Sequence, residues 1–237
     1  MMAAFDGKVV VVTGATGNLG QVVARKFAAQ GAKLALIARE ASDLKALADE
    51  LKGETLSEAA DLSDPASVDG LVGRILARFG QIDVLAHTVG GYAAGKPVHE
   101  SDIDVLEKMF ALNVKPIYVT AGRIAKAMVE RGQGGKIVVV LAKSGLKGQA
   151  NAAAYTASKA AGQRIVESMA LELRDKNINV NAVLPSIMDS PANRKDMPNA
   201  DPAKWVTTDD VADAILFLSS PESNKINGAS IEVYGRS

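Results

Sequence analysis

Short apolar runs alternate with longer amphipathic segments along this chain. The runs are KVVVVT (8–13), KLALIA (33–38), IDVLA (82–86), KIVVVLA (136–142), INVNAVL (178–184) and ASIEVY (229–234). Such unbroken runs are the pattern of parallel strands buried on both faces. Between them lie segments such as LGQVVARKFAAQG, SVDGLVGRILARFG and the long AAAYTASKAAGQRIVESMALELRDK, which end on glycine or polar stops. Strand, helix, strand, repeated with right-handed crossovers, predicts an α/β fold: a doubly wound, mostly parallel sheet of seven strands with helices on both faces. Its ligand site is expected outside the carboxyl ends of the strands. No linker, repeat or low-complexity tract divides residues 1–237, so one domain is expected.

One stretch breaks the rhythm. LPSIMDSPANRKDMPNADPAKW (184–205) carries prolines at 185, 191, 198 and 202, which prevent a long regular helix. A loop or broken lid over a substrate is expected at about 185–206. The charge-dense AREASDLKALADELKGE reads as a solvated helix face.

Composition then removes several classes of function. Basic and acidic side chains number 27 each, so no net field favours nucleic acid or an anionic membrane. Without cysteine there is no disulfide, thiolate nucleophile or cysteine metal site, and His87 and His99 are too far apart in sequence to look like a metal cluster. No bound metal is expected. No run approaches the roughly 18 apolar residues of a membrane span, and the N-terminal valine run is too short for a secretion signal, so a cytoplasmic protein is expected.

VVVVTGATGNLGQVV sets Gly14, Gly17 and Gly20 between the first strand and the first helix. Glycines there allow the tight turn, the approach of a pyrophosphate and close helix packing, while helix N-terminal amides attract the phosphate. After the first strand of an alternating chain, this is the Rossmann dinucleotide signal. The second strand ends in LIARE: Ala38 puts no acid against a 2′-phosphate, and Arg39 is placed to neutralise one, which favours NADP(H) over NAD(H), with Glu40 as the opposing feature. Asp61 in AADLSD is either an acceptor for the adenine amino group or a helix cap.

TGATGNLG, Asp61-Leu62, Asn113 in ALNVKP, YTASK and INGASIEVYG together resemble the short-chain dehydrogenase/reductase family over essentially the whole chain. The resemblance implies that Tyr155 is the proton donor. Lys159 then holds the nicotinamide ribose and acidifies the phenol, and Asn113 distorts its helix to anchor a proton-relay water. An ammonium near a phenol does favour phenolate, as general acid catalysis requires. By the same resemblance the cofactor is held by Gly14, Thr16, Gly17, Asn18, Leu19, Gly20, Arg39, Asp61, Leu62, Thr88, Gly90, Tyr155, Lys159, Pro185 and Ile187. Family members pair through two long helices, here roughly 102–131 and 152–175, so a homodimer or homotetramer is implied.

Three positions depart from the common family pattern. Asn18 replaces a glycine of the turn, HTVG (87–90) replaces NNAG, and Ala142, thirteen residues before Tyr155, stands where the family has a substrate-binding serine. Loss of such a donor costs about 2.7–4 kcal/mol where tested on oxyanions. Ser144 replaces the hydroxyl if it faces inward; alternation puts 142 and 144 on one face only where the strand continues. The dihydropteridine reductase branch also has alanine at this place, and TVGGYAAG (88–95), LAKSGLKG (141–148) and the segment 184–205 are similar to it. That likeness implies a substrate site including Tyr92, Ala142, Ser144 and Ser190, with the ring of Tyr92 beside a flat heterocycle.

The expected activity is NADP(H)-dependent reduction of a small carbonyl, quinonoid or pterin-like molecule. A 3-oxoacyl thioester reductase is the enzymatic alternative, and a weakly catalytic NADP-binding sensor or scaffold is the alternative of another kind.

Overall fold

The structure is a computed structural model that describes residues 4–236. Seven strands form one wholly parallel sheet: β1 (Val9–Thr13), β2 (Lys33–Ala38), β3 (Thr55–Ala59), β4 (Val84–His87), β5 (Gly135–Val140), β6 (Ile178–Pro185) and β7 (Ser230–Val233), in the order β3-β2-β1-β4-β5-β6-β7. The strand order reverses between β1 and β4, where a doubly wound sheet opens its crevice. Thr13 lies opposite both Ile37 and His87 in the register, so these strands end level with one another at the crevice.

Alternation along the strands divides two apolar cores. Val9 and Val11 of β1 face one side of the sheet and Val10 and Val12 the other. On the first side pack α3 (Pro65–Phe79), α5 (Lys115–Arg131) and α6 (Ala153–Leu173), through residues such as Leu71, Ile124 and Val166. On the second pack α1 (Asn18–Ala29), α2 (Lys45–Glu50) and α8 (Thr208–Ser219), through residues such as Val23, Leu47 and Ile215. The ends of these helices follow from the sequence. Asp64 caps α3 by accepting from the Ser67 amide, Gly80 closes it in the left-handed conformation, and Thr207 and Asp210 form a capping box on α8.

The stretch 102–131 is two helices and not the one expected. α4 (Ile103–Asn113) ends one residue before α5 begins, with Val114 between them at φ −111° and ψ −55°. Pro116 has no amide hydrogen to continue the α4 ladder and sits instead in the first turn of α5, where none is needed.

Within the proline-rich segment, α7 (Pro191–Asp196) is a single short helix with Pro191 in its first turn and Ser190 as its cap. The segment is pinned at its root, where the Asp189 amide donates to the Val206 carbonyl at 2.7 Å and the Val206 amide to Ile187 at 3.1 Å. A bidentate Arg194–Asp189 pair braces it. At the opposite end of the sheet, the buried Asp83 carboxylate binds the Val9 amide at 2.8 Å and the Arg131 guanidinium at 3.0 Å, which ties β1, β4 and α5 together. No described helix is long and apolar enough to cross a membrane.

Candidate active site

A cleft of about 900 Å³ opens at the carboxyl ends of the central strands. It gathers most of the residues singled out in the sequence: Gly14, Gly17, Asn18, Leu19, Gly20, Thr88, Gly90, Tyr92, Ala142, Ser144, Tyr155, Lys159, Pro185, Ile187 and Ser190. Thr16, Arg39, Asp61, Leu62 and Asn113 do not line it.

The glycine turn is built to receive a phosphate. Gly14 has φ +68°, and a Cβ on Gly20 would fall 2.1 Å from the Gly14 carbonyl oxygen, so neither position admits a side chain as the backbone stands. Gly17 is the N-cap of α1 without a side-chain cap, and the first turn carries no acidic residue. The leading amides of α1 thus meet the cleft at Leu19 and Gly20 with the helix dipole behind them, a fit for a dinucleotide pyrophosphate. Thr16 contributes its carbonyl to Gln21, which braces the turn. Thr88 donates its hydroxyl to the Thr13 carbonyl at 2.7 Å, fixing the end of β4 against β1. Arg39 is exposed just past β2 and has no carboxylate partner among the described residues. Asp61 accepts from the Ser63 amide in a local turn, and the cap of α3 is Asp64, not Asp61. Leu62 is buried, and its carbonyl accepts from Thr120.

α6 carries the reactive pair. Tyr155 and Lys159 stand one turn apart on its first half, and Lys159 is buried. Asn113, at the end of α4, converges on the same place: a Cβ at Gly90 would lie 3.0 Å from both Asn113 Oδ1 and Lys159 Nζ. The Asn113 amide is fully used. Its Oδ1 accepts from the Gly91 amide at 2.7 Å, and its Nδ2 donates to the Gly91 carbonyl and to Ser158 Oγ, each at 3.0 Å. Asn113 thus clamps the loop that presents Tyr92. The Tyr92 ring stands edge-on to that of Tyr155, with centroids 4.8 Å apart and planes at 77°, and is 67% exposed.

The hydroxyl of Ser144 is hydrogen-bonded to Tyr155. The route differs from a continued strand: β5 stops at Val140, and a short 3-10 turn over Lys143–Gly145 swings Ser144 back to the phenol. Ala142 is buried beside it and offers only a methyl group. Burial raises the Tyr155 phenol above its ordinary pKa; the Ser144 hydrogen bond pulls it down, and Tyr92 adds a further upward push. Lys159 stands one turn further along the same helix. Its Nζ lies 6.0 Å from the centre of the Tyr155 ring, and burial depresses the lysine itself to about 8.

Other wall residues escaped the sequence reading. Lys143, Lys147, Gln149, Asn193, Asp196 and Met197 also line the cleft, the last three from α7 and the residue that follows it. The unusual composition of 184–205 marked the segment, but only the path of α7 tells which of its side chains face inward.

This fold and cleft define a nucleotide-dependent oxidoreductase of the doubly wound type. Residues 8–201 match the short chain dehydrogenase family, and the chain belongs to it. Two curated relatives are close over nearly the full length. Meso-2,3-butanediol dehydrogenase of Serratia marcescens is 33% identical, with 98% of this chain and 94% of the relative covered. L-rhamnose 1-dehydrogenase (NAD(P)(+)) of Azotobacter vinelandii is 32% identical, with 96% and 95% covered. Among solved structures, an NAD+-bound xylitol dehydrogenase superposes with a TM-score of 0.89 at 27% identity, covering 98% of this chain and 99% of that one. The chain is therefore an oxidoreductase of alcohol and ketone chemistry that uses a nicotinamide cofactor.

Proposed function

We propose that this protein reduces a small carbonyl, quinonoid or pterin-like molecule with NADPH, Tyr155 giving the proton. The observation that carries the proposal is the Ser144 hydroxyl on the Tyr155 phenol, in the same cleft as the phosphate-binding turn. A bound nicotinamide supplies the hydride. The chain's own residues bind, orient and move the proton. Tyr155 Oη donates to the oxygen or nitrogen that gains electron density. The Lys159 ammonium, on the same face of α6, stabilises the phenolate left behind. Ser144 has one donor and two acceptor lone pairs, so it can hold the phenol and still reach the substrate. This hydroxyl replaces the one missing at Ala142. Tyr92 offers a ring against which a flat heterocycle packs, and Ser190 with its segment 185–206 closes over it.

The preference for NADPH rests on Arg39, next to Ala38 and without a carboxylate partner among the described residues, as the counter-charge for a 2′-phosphate. Asp61 is the acceptor for the adenine amino group in this reading. Assembly into a dimer or tetramer is part of the same reading. Its support is the exposed apolar residues Ile103, Leu106, Phe110, Tyr118 and Leu171 on α4, α5 and α6.

The names of the relatives favour a second reading, oxidation of a polyol or diol, in which Tyr155 takes the proton instead. Gln149, Ser190, Asn193 and Asp196 supply polar groups for several hydroxyls. The test is cofactor turnover with NADPH and NADH against a quinonoid dihydropterin, an ortho-quinone, an acetoacetyl thioester and, in the oxidative direction, a vicinal diol. Fast NADPH-dependent reduction of the pterin or quinone supports the first reading. Turnover of the diol alone replaces it with the second.

A further inference from the structure

His87 has no task in the chemistry above. It closes β4, is 0% exposed, and lies between Thr13 of β1 and Val139 of β5. Alternation along β4 puts its side chain on the face of Leu85, the face covered by α3, α5 and α6, and α6 carries Tyr155 and Lys159. Its Nδ1 is 3.0 Å from the Thr13 hydroxyl, while Nε2 is buried without a hydrogen-bond partner. A buried polar atom left without a partner needs a reason. Lys159 is near enough for its charge to oppose protonation of this ring, and with burial it holds His87 at about 3, so the imidazole is neutral at any working pH.

Lys159 has the matching need. Burial alone depresses it to about 8, with no carboxylate acting on it. Near its ammonium lie the Tyr155 ring on its own helix, 6.0 Å to the centre, and the Asn113 amide from the end of α4, while the buried His87 imidazole of β4 lies within range of its charge. None carries negative charge at neutral pH, and the amide oxygen of Asn113 is occupied by Gly91.

The geometry points to His87 as a positioning residue for Lys159. With its hydrogen on Nδ1 donated to Thr13 Oγ1, the lone pair of Nε2 is left to accept a hydrogen bond from one buried water that links it to the Lys159 ammonium. A neutral acceptor holds the charged lysine in place without taking its proton, which a carboxylate in the same spot would compete for. The inference rests on the reading of Lys159 as the partner of Tyr155.

The chain has two histidines, His99 exposed and His87 buried, so nitrogen-15 NMR of histidine-labelled protein, compared with His99→Gln, assigns the His87 signals. The expected spectrum shows the Nδ1–H tautomer. In His87→Phe, which keeps ring volume but has no acceptor, the charged form of Lys159 loses support. The alkaline limb of the reduction rate is then expected to move down by about one pH unit, so that kcat falls about fivefold at pH 8 and hardly at pH 6. His87→Gln, which restores an acceptor, recovers part of the loss. An Nε2–H tautomer in the unaltered protein overturns the proposal, whether or not His87→Phe folds, and so does an unmoved alkaline limb in a folded variant. Lys159→Met separates the two levels. If it keeps turnover, the reading of Lys159 has failed; if it abolishes turnover while His87→Phe keeps the native pH limb, only the role of His87 has failed.

Discussion

Ser144 and Tyr155 share a hydrogen bond across the cleft, although Ser144 lies two residues beyond the place where the family pattern puts its serine. The turn over Lys143–Gly145 makes this possible by ending β5 early. Ser144→Ala is expected to lower kcat for carbonyl or quinonoid reduction by about 10²–10³, the usual effect of losing one preorganised donor. Adding Ala142→Ser to that variant should restore part of the rate. A Ser144→Ala enzyme with native kcat would remove Ser144 from the chemistry.

Arg39 gives a prediction about cofactor choice. Arg39→Ala should raise KM for NADPH by about 10–100-fold, the worth of a charge-assisted hydrogen bond, and leave KM for NADH nearly unchanged. Equal effects on both cofactors would place Arg39 outside the 2′-phosphate site.

Much of this was legible from residue patterns, and the exceptions have physical causes. The valine and isoleucine runs marked six strands to within two residues of their ends, because parallel strands buried on both faces leave little room for polar residues. The glycine turn was legible because a side chain at Gly20 collides with the backbone of Gly14. The direction of Ser144 was not legible. It depends on β5 ending at Val140, and the apolar run continues through Ala142. The break at Val114 was not legible, because a proline at 116 sits comfortably in the first turn of a helix and the apolar pattern runs on along both sides of it. The inward residues of α7 were hidden because six residues are too few to show a helical period.

Two buried bases make stability depend on pH. His87 is depressed from 6.5 to about 3, so the unfolded chain binds a proton that the folded one refuses. Its contribution is complete above pH 6.5 and is lost as pH falls toward 3, at about 1.4 kcal/mol per pH unit. Denaturant titrations should show this slope, and His87→Phe should flatten it. An equal slope in both proteins would mean that His87 is protonated in the fold.

Lys159 works the other way. Lowered from 10.5 to about 8, it costs folding free energy while charged, with the full penalty below pH 8 and relief as pH rises toward 10.5. Lys159→Met should therefore be inactive yet more stable at pH 7, by up to about 3 kcal/mol. A less stable variant would show that the ammonium is better solvated than its burial implies.

At the far end of the sheet, Asp83→Asn should destabilise the protein by about 3–5 kcal/mol, because it strands the Arg131 guanidinium beside a neutral amide. NADPH binding to the remaining folded protein should be unaffected. A drop in cofactor affinity without a drop in melting temperature would contradict a purely structural role.

The central claim is that Tyr155 delivers the proton in a nicotinamide-dependent reduction. The most direct test is single-turnover NADPH oxidation by Tyr155→Phe beside the unaltered enzyme, on a quinonoid or carbonyl substrate the latter accepts, with NADPH affinity measured in parallel. The expected result is a rate lower by about 10²–10⁴ with NADPH affinity unchanged. A Tyr155→Phe enzyme that oxidises NADPH at the native rate would contradict the claim.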